Sequence, residues 1–219
     1  MHVTHLGHAC LLIESGGARV LLDPGSFSGF AGVTGIDAVF VTHQHPDHVD
    51  PERFPALLDA NPQARCYVEP SVLETTLQDS DAAGRCRPMT SGQLVQVGEG
   101  LSVEPVGDRH AVINEALPRI GNLGVVLRAQ DERTLFHPGD AYDAQPGDVD
   151  ILGLPLNAPW CAAKETVAFV QRIDPRVVVP IHDGLLNDTG RAMYIGQVQR
   201  FGPEGLEVRD LSDGEPVEF

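Results

Sequence analysis

Lysine is almost missing from these 219 residues. Lys164 is the only one, and the basic total reaches just 15 against 31 acidic residues. The formal charge of −16 repels phosphate backbones and no basic run interrupts it, so nucleic acid is not an expected partner. No apolar run is long enough to span a bilayer. Met1-His2-Val3-Thr4-His5 has neither the basic start nor the apolar stretch of a signal peptide, so a cytoplasmic protein without membrane attachment is expected. Cys10, Cys66, Cys86 and Cys161 form no C-x-x-C pair. A disulfide framework and a cysteine-built zinc site are therefore not expected.

What remains is the composition of an ordinary globular protein. The hydrophobic fraction is 42%, and the length suits a single domain over 1–219. Gly (23) and Pro (17) are plentiful enough to join many short strands through turns. Strands are expected over 2–6, 9–14, 19–22, 37–42, 65–68, 93–97, 101–106, 123–128, 134–136, 149–154 and 177–181, with a short one at the end of the chain. Helices are expected from Asp50-Pro51 onward, over 71–78, 164–173 and 191–201. The Gly- and Ser-rich stretch 24–35 reads as a mobile loop. A two-layered β core flanked by helices accounts for this order.

One segment stands apart. Thr42 to His48 reads T-H-Q-H-P-D-H, crowding three histidines and an aspartate onto the turn after a buried-type strand. Imidazole nitrogen and carboxylate oxygen are the donors preferred by zinc and similar divalent metals. Side chains two apart in extended chain project to one side, so His43 and His45 can grip one ion. Asp47 and His48, past the turn, can reach a second. Three more candidates also follow strands: His110, Asp140 and His182. Four strand ends thus carry metal-type side chains into loops, where active sites gather.

Taken together, Thr42 to His48, Gly107-Asp108-Arg109-His110, His137-Pro138-Gly139-Asp140 and Pro180-Ile181-His182 resemble the motifs of the metallo-β-lactamase fold superfamily, in its order and over nearly the whole chain. Leu6-Gly7-His8-Ala9 and Leu21-Leu22-Asp23-Pro24 look like its small cytosolic hydrolase branch, which includes ascorbate-phosphate lactonase-like proteins. The resemblance implies an α/β fold, a four-layer αββα sandwich with metals at one edge. It also implies His43, His45 and His110 on one metal, Asp47, His48 and His182 on another, and Asp140 bridging them.

The expected activity is hydrolysis of a small ester, lactone or phosphoester by a metal-bound hydroxide, with zinc as the default metal and manganese or iron as alternatives. The dication pair would leave the site positive and so receptive to an anionic substrate. Asp47 is expected to orient the nucleophile or take its proton. Asp23 is read either as a support for a ligand histidine or as a turn cap. His8 is read as a pocket or proton-donating residue, or as a structural one. Arg109 is read as a binder of a substrate carboxylate or phosphate, or as a solvent-facing salt bridge. Asn157 and Trp160 are candidate substrate neighbours, with core packing the other reading of Trp160, and 24–35 and 111–120 are candidate lids. Alternatives are a phosphodiesterase proper, an iron-dependent redox enzyme on the same fold, and a non-enzymatic binding module. The oligomeric state is left open.

Overall fold

The computed structural model describes residues 1–219. Two seven-stranded sheets pack face to face, and each mixes antiparallel and parallel pairing. The first is built by β1 (His2–His5), β2 (Leu11–Ser15), β3 (Ala18–Leu22), β4 (Ala38–Val41), β5 (Arg65–Val68), β6 (Cys86–Pro88) and β14 (Val217–Glu218), in the order β14-β1-β2-β3-β4-β5-β6. Pairing is antiparallel from β14 to β3 and parallel from β3 to β6. The second comprises β7 (Val95–Val97), β8 (Leu101–Val106), β9 (Gly124–Ala129), β10 (Leu135–His137), β11 (Ile151–Pro155), β12 (Val177–Ile181) and β13 (Glu207–Val208), in the order β13-β12-β11-β10-β9-β8-β7. It is parallel from β13 to β10 and antiparallel from β10 to β7.

Burial explains the layering. Alternate residues of the strands meet between the sheets, where Val3, Leu11, Ile13, Val20 and Phe40 face Val103, Val125, Leu127, Ile151 and Val179. The opposite face of the first sheet (Leu21, Val39, Val41, Val68) is covered by α1 (Phe54–Ala60) and α2 (Pro70–Glu74), through Phe54, Leu57, Leu58 and Val72. The outer face of the second (Val126, Phe136, Leu152, Val178) is covered by α3 (Ala163–Ile173) and α4 (Asp188–Phe201), through Phe169, Val170 and Val198. Strands buried on both faces must be apolar throughout, as β4, β11 and β12 are. The result is the αββα sandwich. No helix is long and apolar enough to cross a membrane.

Several local expectations are corrected. Regular helix begins at Phe54 rather than at Pro51, because Asp50 Oδ1 accepts the N–H groups of both Glu52 and Arg53 and holds a turn there. The second helix spans 70–74, shorter than 71–78, and a 3-10 turn over 81–85 with the strand β6 follows, neither of which was expected. The stretch 24–35 is tied down rather than free. Arg53 donates to the carbonyls of Gly25, Ser26 and Ser28 and lies over the buried Phe30 ring, 4.5 Å from its centroid.

Candidate metal centre

The carboxyl ends of β3, β4, β8, β10, β11 and β12 all open onto one edge of the sandwich. They deliver Asp23, His43, His110, Asp140, Asn157 and His182 respectively. His8 joins them from the turn between β1 and β2. Side-chain donors gather in two groups. His43, His45, His110 and Asp140 form one, and His8, Asp47, His48 and His182 the other, each with its ligand atoms within 4.8 Å of one another. Asp140 lies between the groups. Its Oδ1 is 3.1 Å from His48 Nε2, and its Oδ2 is 3.2 Å from His182 Nε2 and 3.5 Å from His110 Nε2.

Outer hydrogen bonds decide which ring nitrogen carries a proton. His48 Nδ1 donates to Asp23 Oδ2 at 2.6 Å, His110 Nδ1 to the Ala111 carbonyl at 2.6 Å, and His182 Nδ1 to the Asn157 carbonyl at 2.7 Å. The Thr42 hydroxyl gives its proton to Asp23 Oδ2, so it accepts from His43 Nδ1 at 3.1 Å. In neutral rings this leaves an unprotonated Nε2 on all four, aimed inward, as a metal-ligating histidine requires. His8 is wired the other way. Its Nδ1 accepts the Gly184 N–H, so the proton sits on Nε2 and is donated to Asp47 Oδ2 at 3.1 Å. His137 is likewise structural: Nδ1 accepts the Gly139 N–H, and Nε2 donates to the Ala9 carbonyl.

The donor set fits divalent cations. His48 Nε2, His110 Nε2, His182 Nε2 and Asp140 Oδ1 are all buried and have no hydrogen-bond partner. Buried polar atoms seldom stay unpaired, because the desolvation cost is then uncompensated. Four such atoms on one edge are the mark of a cation site.

Electrostatics divide the histidines. Burial, then the neighbouring imidazoles, holds His43 well below the usual histidine range, and burial with His110 lowers His45. Burial would lower His48 and His182 too, but the Asp140 carboxylate, with Asp23 beside His48, outweighs it and raises both. Burial would raise Asp47 and Asp140, yet His8 and His48 on the first and His48 and His182 on the second keep both carboxyls ionised.

Backbone geometry at this edge is unusual. His8, Asp23 and His182 have φ of 53°, 45° and 55°, in the left-handed region that non-glycine residues avoid. The His182 N–H donates to the His8 carbonyl at 2.8 Å, and so two of these strained positions hold each other. Gly139 (φ 62°) is fixed by space as well as conformation, since a Cβ there would lie 2.8 Å from Thr42 Cβ and 2.3 Å from Asn122 Oδ1.

The remaining candidates divide. Trp160 Nε1 donates to Asp140 Oδ2 at 2.8 Å, and its ring packs edge-on against Tyr142. Asn157 meets His182 through its carbonyl, while its amide donates to Tyr194. Arg109 does not join the cluster and takes the solvent-facing salt bridge, one of its two readings. It is turned to solvent, where it donates to the Arg119 carbonyl and lies 3.6 Å from Asp108. Sequence reasoning missed two contributors. Asn122 Oδ1 accepts the Asp140 N–H, and the buried His5 donates to the His8 carbonyl. Neither lies in a motif, so only the folded arrangement shows them.

Residues 2–182 match the family model described as the Beta-lactamase superfamily domain. The chain belongs to that family, within the metallo-β-lactamase superfamily of metal-dependent hydrolases. Among its relatives, the Mycobacterium tuberculosis protein Rv0786c is 40% identical over 210 residues, covering 95% of this chain and 96% of its own. A Pyrobaculum islandicum protein named as a UPF0173 metal-dependent hydrolase is 27% identical over 202 residues, covering 83% of this chain and 84% of its own. The same fold is seen in the metallo-beta-lactamase fold protein YhfI from Bacillus subtilis, with a TM-score of 0.74 and 16% identity over 100% of this chain and 98% of that one.

Proposed function

We propose that this chain is a dinuclear metal-dependent hydrolase acting on a small ester, lactone or phosphoester. The observation that carries the reading is the set of buried, partnerless Nε2 and Oδ1 atoms gathered around Asp140. His43, His45 and His110 would hold one cation, Asp47, His48 and His182 the other, and Asp140 would serve both. Zinc suits imidazole and carboxylate donors best, and manganese and iron accept the same set. A positive pair of sites would draw an anionic small molecule to an otherwise acidic protein. The four unpaired thiols fit a cytoplasmic working place.

Held by these residues, divalent cations would supply a water of pKa about 7 and polarisation of the electrophile's oxygen. The protein's own groups supply orientation and proton handling. Asp47 is the more accessible of the two carboxylates, with its side chain 24% exposed, and orients the attacking water or accepts its proton. His8 donates to Oδ2 of Asp47 and so fixes the direction of that carboxylate. Trp160 does the same for Asp140, and Asp23 holds His48.

The test is reconstitution of metal-free protein with zinc, manganese or iron, metal quantification, and a panel of nitrophenyl esters, lactones and a nitrophenyl phosphodiester. Two cations per chain and turnover of at least one class are expected. Inert protein at full loading, or iron with oxygen consumption and no hydrolysis, overturns the reading.

A further inference from the structure

The edge that carries the donor cluster also has an apolar side, which the metal chemistry does not use. A cavity of about 200 Å³ opens beside His45 and His110, walled by Val112, Ile113, Leu117, Pro118 and Ile120. Its one charged neighbour is already committed. Arg119 Nε donates to the His110 carbonyl at 2.8 Å, and its guanidinium lies 3.6 Å from Asp143.

Exposed apolar side chains concentrate at this mouth. The chain exposes eight large hydrophobic residues, and four of them border the site. Val112, Ile113 and Leu117 stand on the His110 side. Phe27 packs beside His8, its ring 5.2 Å from that of the histidine. Apolar surface left open on a soluble protein marks a binding site, and a pocket with few polar groups beside reactive ones is the usual form of a small-molecule site.

From this placement, and resting on the hydrolase reading above, we propose the substrate class: a carboxylic ester or lactone bearing an unbranched apolar arm. The arm lies against Val112, Ile113, Leu117 and Ile120, and the ester group reaches the donor cluster past His45 and His110. An apolar cavity of about 150 Å³ takes up benzene, so this one accommodates an arm of about six to eight carbons. The wall offers no free cation to a second charged group, so the arm it takes is neutral. In the reaction, the oxygen of one water bonds to the carbonyl carbon and the bond to the alkoxy oxygen breaks. One water proton ends on that alkoxide and the other leaves the carboxylic acid, so an alcohol, a carboxylate and one proton are produced.

The experiment has two arms. In the first, metal-loaded protein is given nitrophenyl butyrate, octanoate and dodecanoate, and octyl acetate against butyl acetate to place the arm on the alcohol side. In whichever series carries the arm, kcat/KM should rise by up to about fourfold per methylene to eight carbons and then level off. Leu117→Asp and Ile113→Asp should cut the eight-to-four-carbon ratio at least tenfold, whereas Phe201→Asp, at the far end of α4, should leave it as it is. In the second arm, calorimetry compares 1-octanol with 1-butanol on the metal-free protein, where octanol should bind more tightly and Leu117→Asp should abolish the difference.

Hydrolysis with no chain-length preference in either series overturns the apolar-arm assignment and leaves the hydrolase reading standing. Octanol binding that depends on Leu117, with every ester left intact at full metal loading, overturns the hydrolase reading and the substrate class with it.

Discussion

The two donor groups share Asp140 but use their histidines differently. In the group of His43, His45 and His110, every ring brings a nitrogen to one point, within 4.8 Å of the others and of Asp140. Burial keeps His43 and His45 neutral, and outer acceptors for the Nδ1 protons of His43 and His110 turn their lone pairs inward. In the group of His8, Asp47, His48 and His182, one imidazole is withdrawn from that task. His8 has its proton on the inward nitrogen and spends it on Asp47. The first group is built to hold, while the second gives up a donor to aim a carboxylate that water can reach. The two groups thus differ by the direction of a single hydrogen bond on one histidine, and on the proposed reading that sets a holding site apart from a reactive one.

The comparison can be broken most severely at the shared residue. Asp140→Ala should empty both groups and lower kcat/KM by about 10³-fold, on the scale of losing a main electrostatic contact. A variant that retained two tightly bound metals would show that the groups are independent. Asp47→Ala should cost about 10²- to 10⁴-fold in kcat, the range for a proton-transfer group, while His43, His45 and His110 keep their cation. Full turnover in that variant would discard the catalytic role.

A smaller effect is expected from Asp23→Asn. The amide lacks the charge that supports His48, so chelator titration should show one cation bound about 10- to 100-fold more weakly and the other little changed. Equal weakening of both would erase the distinction drawn here.

The smallest effect concerns the scaffold behind His182, where Arg191 donates to Asp183 at 2.7 Å and pairs with both oxygens of Asp210. Burial opposes ionisation of Asp210, but Arg191 outweighs it and brings its pKa down to about 2. A folded pKa below the unfolded value of 3.8 stabilises the protein fully above pH 3.8, and the contribution disappears as pH falls through about 2. Asp210→Asn should therefore lower Tm slightly near neutrality and converge with the parent near pH 2. With the carboxylate half exposed, the difference should stay under about 1 kcal/mol. A gap that widened in acid would reverse the assigned sign.

How much of this could be read from the chain itself follows from how local each signal is. The Thr42 to His48 cluster is contiguous, so its metal chemistry shows in composition alone, and the buried strands β4, β11 and β12 announce themselves by unbroken apolar runs. His110, Asp140 and His182 became readable only as a set, each following a strand. What stayed hidden depends on partners far apart in the chain. The inverted wiring of His8 requires Gly184, the clamp on 24–35 requires Arg53, and the support of Asp140 by Trp160 spans two loops. Arg109 kept two readings for the same reason, because adjacency to a ligand in sequence does not fix the side on which a flexible side chain lies.

The hydrogen bond from the His182 N–H to the His8 carbonyl has a temporal consequence. It joins the first turn of the protein to the last strand that reaches the site, so the second donor group cannot exist on a nascent chain still inside the ribosome at β12. Metal capture at that position must therefore be a late event in biogenesis. A fragment stopping at residue 150 would retain seven of the eight clustered donors, from His8 through Asp140, yet should take up no cation at the His48 position. Equilibrium dialysis of that fragment against zinc can decide it.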